Sequence, residues 1–106
     1  MIILNMLIYN VTTGLDKKIE QEWIAWMKEV HIPEVMKTKI FVSKRLYKVL
    51  TSDDQNMVSY AVQYTAQSLG QLEKYLEEFA PALRDKVKER FGSQLASFRT
   101  VLEEIS

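Results

Sequence analysis

The sequence predicts an α+β domain of β-α-β-β-α-β order, and three observations carry that prediction. Apolar runs with strand-like and helix-like spacing succeed one another in that order along the chain. A polar cluster, Ser52-Asp53-Asp54-Gln55-Asn56, joins the second and third strands as a hairpin. The two halves also look alike. Glu29-Val30-His31-Ile32-Pro33 matches Glu77-Glu78-Phe79-Ala80-Pro81 in its spacing from a helix proline, and Ser43-Lys44-Arg45 matches Ser97-Phe98-Arg99.

The first strand is expected from about Ile3 to Thr12, stopping at the Thr13-Gly14 turn signal. Met6 is an alternative start to Met1, because Met6 to Thr12 is already a complete strand. Asp16 is a good N-cap for the first helix, in which Ile19, Trp23, Trp26, Met27 and Val30 share one face. Pro33 is expected to break that helix, or to restart it with the proline in a first turn. The second strand covers Ile40 to Leu50, and the third covers Met57 to Thr65, where Val58, Tyr60, Val62 and Tyr64 alternate with polar or small residues. Ser68 and Gln71 form a capping box for the second helix. Its buried stripe is Leu69, Leu72, Tyr75, Leu76, Phe79, Leu83 and Val87, with a kink expected at Pro81 and an end at Gly92. The fourth strand covers Gln94 to Glu103. Two β-α-β units with right-handed crossovers give an antiparallel sheet of order 4-1-3-2 with both helices on one face, the ferredoxin-like plan. One such domain accounts for residues 1–106.

Composition narrows the function. Apolar residues make up 47% and charged residues 26%, an ordinary globular balance. Lys+Arg and Asp+Glu are both 14. That balance argues against nucleic acid, whose phosphates are met by a basic excess. Without cysteine there is no disulfide framework, thiolate nucleophile or Cys-ligated metal, which suits the expected cytoplasmic location. The apolar start lacks a cationic region and a small-residue cleavage site, and is too short to span a bilayer, so no membrane role is expected.

Two helices cover only one face of a four-stranded sheet. Even positions of strands two and four (Val42, Leu46 and Leu50; Ala96, Phe98 and Leu102) are assigned to the helix side. The open face then holds Ser43, Arg45, Tyr47 and Val49, Ser97, Arg99 and Val101, Ser59, Ala61 and Gln63, and Leu7, Tyr9 and Val11. That mixture is too apolar for a bare surface and too polar for a dry core. A homodimer enclosing a partly wet cavity is the expectation.

Several stretches resemble a small bacterial family of unknown function. They are Tyr9-Asn10-Val11-Thr12, Glu22-Trp23-x-x-Trp26-Met27-x-x-x-His31-Ile32-Pro33-Glu34-Val35, Tyr60-Ala61-Val62-Gln63-Tyr64, Ala80-Pro81-Ala82-Leu83-Arg84, Arg90-Phe91-Gly92 and Phe98-Arg99-Thr100. That family is similar to the dimeric α/β barrels, which include EthD-like proteins, antibiotic-biosynthesis monooxygenases and muconolactone isomerases. The resemblance implies a dimeric barrel fold. It does not specify a reaction, because members of the wider group differ in chemistry.

His31, the only histidine, is the candidate catalytic acid or base; the bland alternative is a last-turn histidine interacting with local carbonyls. One histidine and no compact carboxylate cluster leave no metal site. Arg45 and Arg99 lie about 14 Å apart within one sheet. Across a dimer they could converge on one anion, with Tyr9, Tyr47 and Gln63 adding polar contacts, or they could simply pair with acids. Trp23 and Trp26 read as core rather than as a stacking platform. The leading expectation is a homodimer that binds a small anionic or aromatic organic molecule between sheet and helices, with cofactor-free catalysis through His31. The alternatives are a non-catalytic dimerisation or ligand-sensing module and, more remotely, an RNA-recognition domain, whose basic-Gly pair before the aromatic is missing.

Overall fold

The computed structural model describes residues 5–51 and 54–105. Strand β1 (Leu7–Asp16) lies in the interior of the sheet, paired antiparallel with β3 (Met57–Ala66) on one side and β4 (Leu95–Glu103) on the other. Strand β2 (Phe41–Val49) adds to the outer edge of β3, giving the order β2-β3-β1-β4. Read from the other edge, this is the expected 4-1-3-2 ferredoxin-like sheet.

The expected start of the first strand, Ile3 to Leu4, lies outside the described residues. Its expected end is corrected. β1 runs through Thr13-Gly14 to Asp16, because Gly14 is held in register by Ser59 on one side and Ala96 on the other. Asp16 then caps the helix as expected, its Oδ1 accepting from the Lys18 N–H at 2.9 Å.

Neither proline ends its helix: Pro33 stands in the first turn of Ile32–Lys37, the restart that the sequence allowed, and Pro81 in the first turn of Ala80–Phe91. The first helix runs over residues 17–37, with a π-turn at Met27–His31 just before Ile32–Lys37. The second runs over residues 69–91, with a π-turn at Tyr75–Phe79 just before Ala80–Phe91. Proline has no N–H for the carbonyl four residues back, and its ring crowds that carbonyl. Widening the turn by one residue relieves the conflict: Ile32 N–H reaches the Met27 carbonyl and Ala80 N–H the Tyr75 carbonyl. The extra residue shifts the buried face. Met27 is followed by buried Ile32 and Val35, while Val30, expected inside, is exposed. Tyr75 is followed in the same way by buried Ala80 and Leu83.

Strand register also corrects the assignment of faces. Odd residues of β1 pair with even residues of β3 and odd residues of β4: Tyr9 with Tyr64 and Val101, Val11 with Val62 and Arg99, Thr13 with Tyr60 and Ser97. Tyr60, Val62 and Tyr64 are buried beneath the helices, so Leu7, Tyr9, Val11, Ser97, Arg99 and Val101 face the helices too. Ala96, Phe98 and Leu102 face outward. Strand β2 keeps Ser43, Arg45, Tyr47 and Val49 on the open side, where Arg45 pairs with Gln63 and Tyr47 with Ala61. A bulge between Phe41 and Ser43 turns Phe41 inward and leaves Val42 exposed. Leu50, assigned to the helix side, is exposed beyond the strand end.

The core between sheet and helices centres on Trp23, Leu15, Val35 and Leu72, all essentially inaccessible to solvent. At one end, Glu20 is buried with its partners supplied. Tyr60 Oη donates to Glu20 Oε2 at 2.6 Å, and Lys48 Nζ lies 3.1 Å from the same oxygen. These hydrogen bonds hold the Glu20 carboxyl below its usual range against the opposing effect of burial.

Candidate functional site

The same layer that forms the core opens at its other end into a cavity of about 50 Å³ between β1, β3, β4 and both helices. Strand register aims Tyr9, Val11 and Thr13 from β1, Val62 and Tyr64 from β3, and Ser97 and Arg99 from β4 into it. The first helix contributes Trp23, Met27 and His31; the second contributes Tyr75, Leu83, Arg84 and Val87. Both π-turns supply residues to this wall, Met27 and His31 in the first helix and Tyr75 in the second.

The floor is aromatic and packed. Tyr9 lies 6.3 Å from Tyr64 and 5.7 Å from Tyr75, ring centre to ring centre, and Phe41 closes the cluster from behind. Burial, reinforced by their neighbouring tyrosines, holds the phenols of Tyr64 and Tyr75 above the ordinary tyrosine value, so both remain protonated donors. Further along the sheet, past the Val11–Val62 pair, Thr13 Oγ1 and Ser97 Oγ share a hydrogen bond of 2.7 Å.

The rim is cationic. Arg84 Nη2 donates to Tyr9 Oη at 3.0 Å, which leaves the Tyr9 proton free to donate in turn. Lys86 pairs with Glu34 at 2.6 Å and Arg90 with Glu22 at 2.7 Å, each pair tying one helix to the other. Arg84 and Arg99 have no carboxylate within ion-pair distance among the described residues. His31 is half-buried and stacked on Trp26, with ring centres 5.3 Å apart and planes 19° apart. Burial pushes its pKa down to about 4; Glu34 opposes this, while Arg99 and Lys86 reinforce it. The imidazole is therefore neutral at pH 7, able to accept a proton from a ligand on the wall it lines.

Of the sequence-predicted site residues, the structure brings Tyr9, His31 and Arg99 together around this cavity. Arg45, Tyr47 and Gln63 stand on the opposite face of the sheet, so one subunit does not gather all six. The sequence reading of the site missed Arg84, Tyr64 and Tyr75. Arg84 follows Leu83 on the second helix and so borders the buried stripe, which is the signal that could have found it. Tyr64 and Tyr75 had been placed on the helix side as core, and they are core residues that also line the cavity. Trp23 is core as expected, and Trp26 is half-buried behind His31. Among the described residues, no three His, Cys, Asp or Glu side chains come together as metal ligands, and no helix is long and apolar enough to cross a membrane.

Residues 6–105 match the family described as a domain of unknown function, DUF4286. The chain belongs to this family. No curated protein matches it. Solved structures match along nearly the whole chain. An ethyl tert-butyl ether (EthD) family protein from Bacillus halodurans is 11% identical with a TM-score of 0.69, covering 93% of this chain and 99% of its own. A mutant of SnoaB, a cofactor-independent oxygenase from Streptomyces nogalater, is 13% identical with a TM-score of 0.64, covering 94% of each chain. A dimeric ferredoxin-like protein from an uncultured marine organism is 13% identical with a TM-score of 0.60, covering 96% of this chain and 97% of its own. At such identities the likeness establishes the fold, that of the dimeric α/β-barrel structures.

Proposed function

We propose that this DUF4286 chain forms a homodimer through its open sheet face and binds a small anionic organic molecule in the cavity between sheet and helices. One observation carries the reading: Arg84 and Arg99, neither paired with a carboxylate among the described residues, share an aromatic-floored cavity whose other polar groups are mainly donors. Two guanidinium groups lining one cavity give it a positive potential that an anion neutralises, an effect moderated by solvent because both side chains are exposed. His31 is the proton acceptor of the site, without recourse to a cofactor. An anion beside it opposes the effect of Arg99, raises the imidazole pKa and readies it to take a proton from the ligand. The cofactor-independent oxygenase among the structural relatives makes such chemistry compatible with the fold.

Thermal melting in a panel of small organic anions at matched ionic strength tests the binding. A ligand at a hundred times its Kd stabilises by about 2.7 kcal/mol, a shift that Arg99→Met should largely abolish. Equal responses in wild type and R99M, or no response to any anion, would refute the site.

The small cavity volume favours a second reading, a ligand-sensing or dimerisation module without turnover. Stabilising anions that are recovered chemically unchanged after prolonged incubation would select it.

A further inference from the structure

We propose that the anion taken by this site is a short aliphatic carboxylate, seated between Arg84 and Arg99, and that aromatic acids are excluded. This rests on the anion-binding reading and names its ligand class. Size is the first argument. The cavity holds about 50 Å³, whereas a cavity that accommodates benzene measures about 150 Å³, and one water needs roughly 10–15 Å³. The available space therefore matches about three to five non-hydrogen atoms, a carboxylate on a one- or two-carbon stem.

Rigidity is the second argument. The floor cannot retreat, because Tyr9, Tyr64 and Tyr75 are buried and packed against one another and against Phe41. Displacing such a packed layer to admit a ring would sacrifice dispersion contacts on every side.

Chemistry is the third. Guanidinium forks match planar carboxylates in bidentate fashion. Arg84 reaches the cavity from the second helix and Arg99 from β4, so the carboxylate plane lies between two elements. The Tyr9 hydroxyl, already accepting from Arg84, has its own proton to give to a carboxylate oxygen. The stem then lies against Val62 and Leu83, which supply apolar contact without asking for hydrogen bonds.

The experiment is calorimetric titration of the intact protein with sodium acetate, propionate, benzoate and inorganic phosphate at pH 7 and constant ionic strength. Propionate and acetate are expected to bind, benzoate and phosphate at least tenfold more weakly. Arg84→Met and Arg99→Met should each weaken propionate tenfold or more. Both side chains are solvent-exposed, and unchanged melting temperatures would confirm that the variants fold. Benzoate binding more tightly than propionate, with the same arginine dependence, would overturn the size class and leave the anion reading intact. Phosphate competing on equal terms would overturn the carboxylate preference. Absence of binding by all four, or binding indifferent to both arginines, would overturn the proposal and the reading beneath it together.

Discussion

His31 lies where burial and two cations act in one direction and one carboxylate in the other. Its folded-state pKa, about 4, falls below the ordinary 6.5. Between those values the unfolded chain binds the proton and the folded chain does not, so unfolding takes up a proton there. The contribution to stability is complete above about pH 6.5 and is lost as pH falls toward 4. Its ceiling is about 3 kcal/mol, reduced by solvent because the ring is only half-buried. Glu20 acts in a separate window. Its carboxyl is held below the ordinary 4.5, so its contribution is present above that value and disappears at lower pH. Urea denaturation of wild type and His31→Asn from pH 4.5 to 7.5 separates the two. The stability difference between the proteins should shift steadily against the wild type as pH falls. A constant difference across the range would show that His31 titrates normally.

At the level of elements, the sequence carried the order of strands and helices, both N-caps and the sheet order, because each rests on local signals: Asp16, Ser68, Gly92 and the alternation of Tyr60, Val62 and Tyr64. Ser68 Oγ accepts from the Gln71 N–H at 3.2 Å, and Gly92 sits at φ 59°, where a side chain would be strained. What it did not carry was the phase of β1 and β4. Leu7, Tyr9 and Val11 alternate with Ile8, Asn10 and Thr12, and both rows are partly apolar, so pattern alone leaves the face open until pairing with β3 fixes it. That one inversion separated Arg99 and Tyr9 from Arg45, Tyr47 and Gln63 in space. The π-turns were hidden for a related reason, since a helical wheel of fixed pitch cannot register an inserted residue. Trp23, upstream of the first π-turn, was unaffected. It is 1% exposed and lies 5.2 Å from Tyr60, ring centre to ring centre. Trp23→Ala should destabilise by about 3–5 kcal/mol through lost burial and residual cavity. Chemical denaturation measures this directly, and a loss below about 1 kcal/mol would show that the layer re-collapses around the gap.

At the level of the whole molecule, the helices cover one side of the sheet and leave the other uncovered, the face through which the homodimer is proposed to form. Phe98 on β4 is 63% exposed and Tyr47 on β2 is 43% exposed, with Ala61 and Thr12 between them in register and the Ile8–Leu102 pair further along the same face. Asn10, Thr12, Arg45 and Gln63 are interspersed, which suits a semi-polar contact with some enclosed water better than a dry one. Four strands of about nine residues present a face of roughly 600 Å² before side-chain relief is counted, close to the ~800 Å² per partner of a stable interface. The structural relative described as dimeric shares this sheet. Phe98 is the most informative residue to change, because it points away from the helices and stands opposite Thr12 rather than over the core. Burying its ring contributes about 1.5–3 kcal/mol per copy, and an arginine in its place brings two unpaired charges into the contact. Wild-type protein at about ten micromolar should sediment as a dimer, and Phe98→Arg should sediment as a monomer while retaining wild-type circular dichroism. Propionate binding by that monomer would place the whole anion site within one subunit, as the cavity lining indicates. A wild-type monomer, or a Phe98→Arg dimer of undiminished strength, would remove the open sheet face from the assembly.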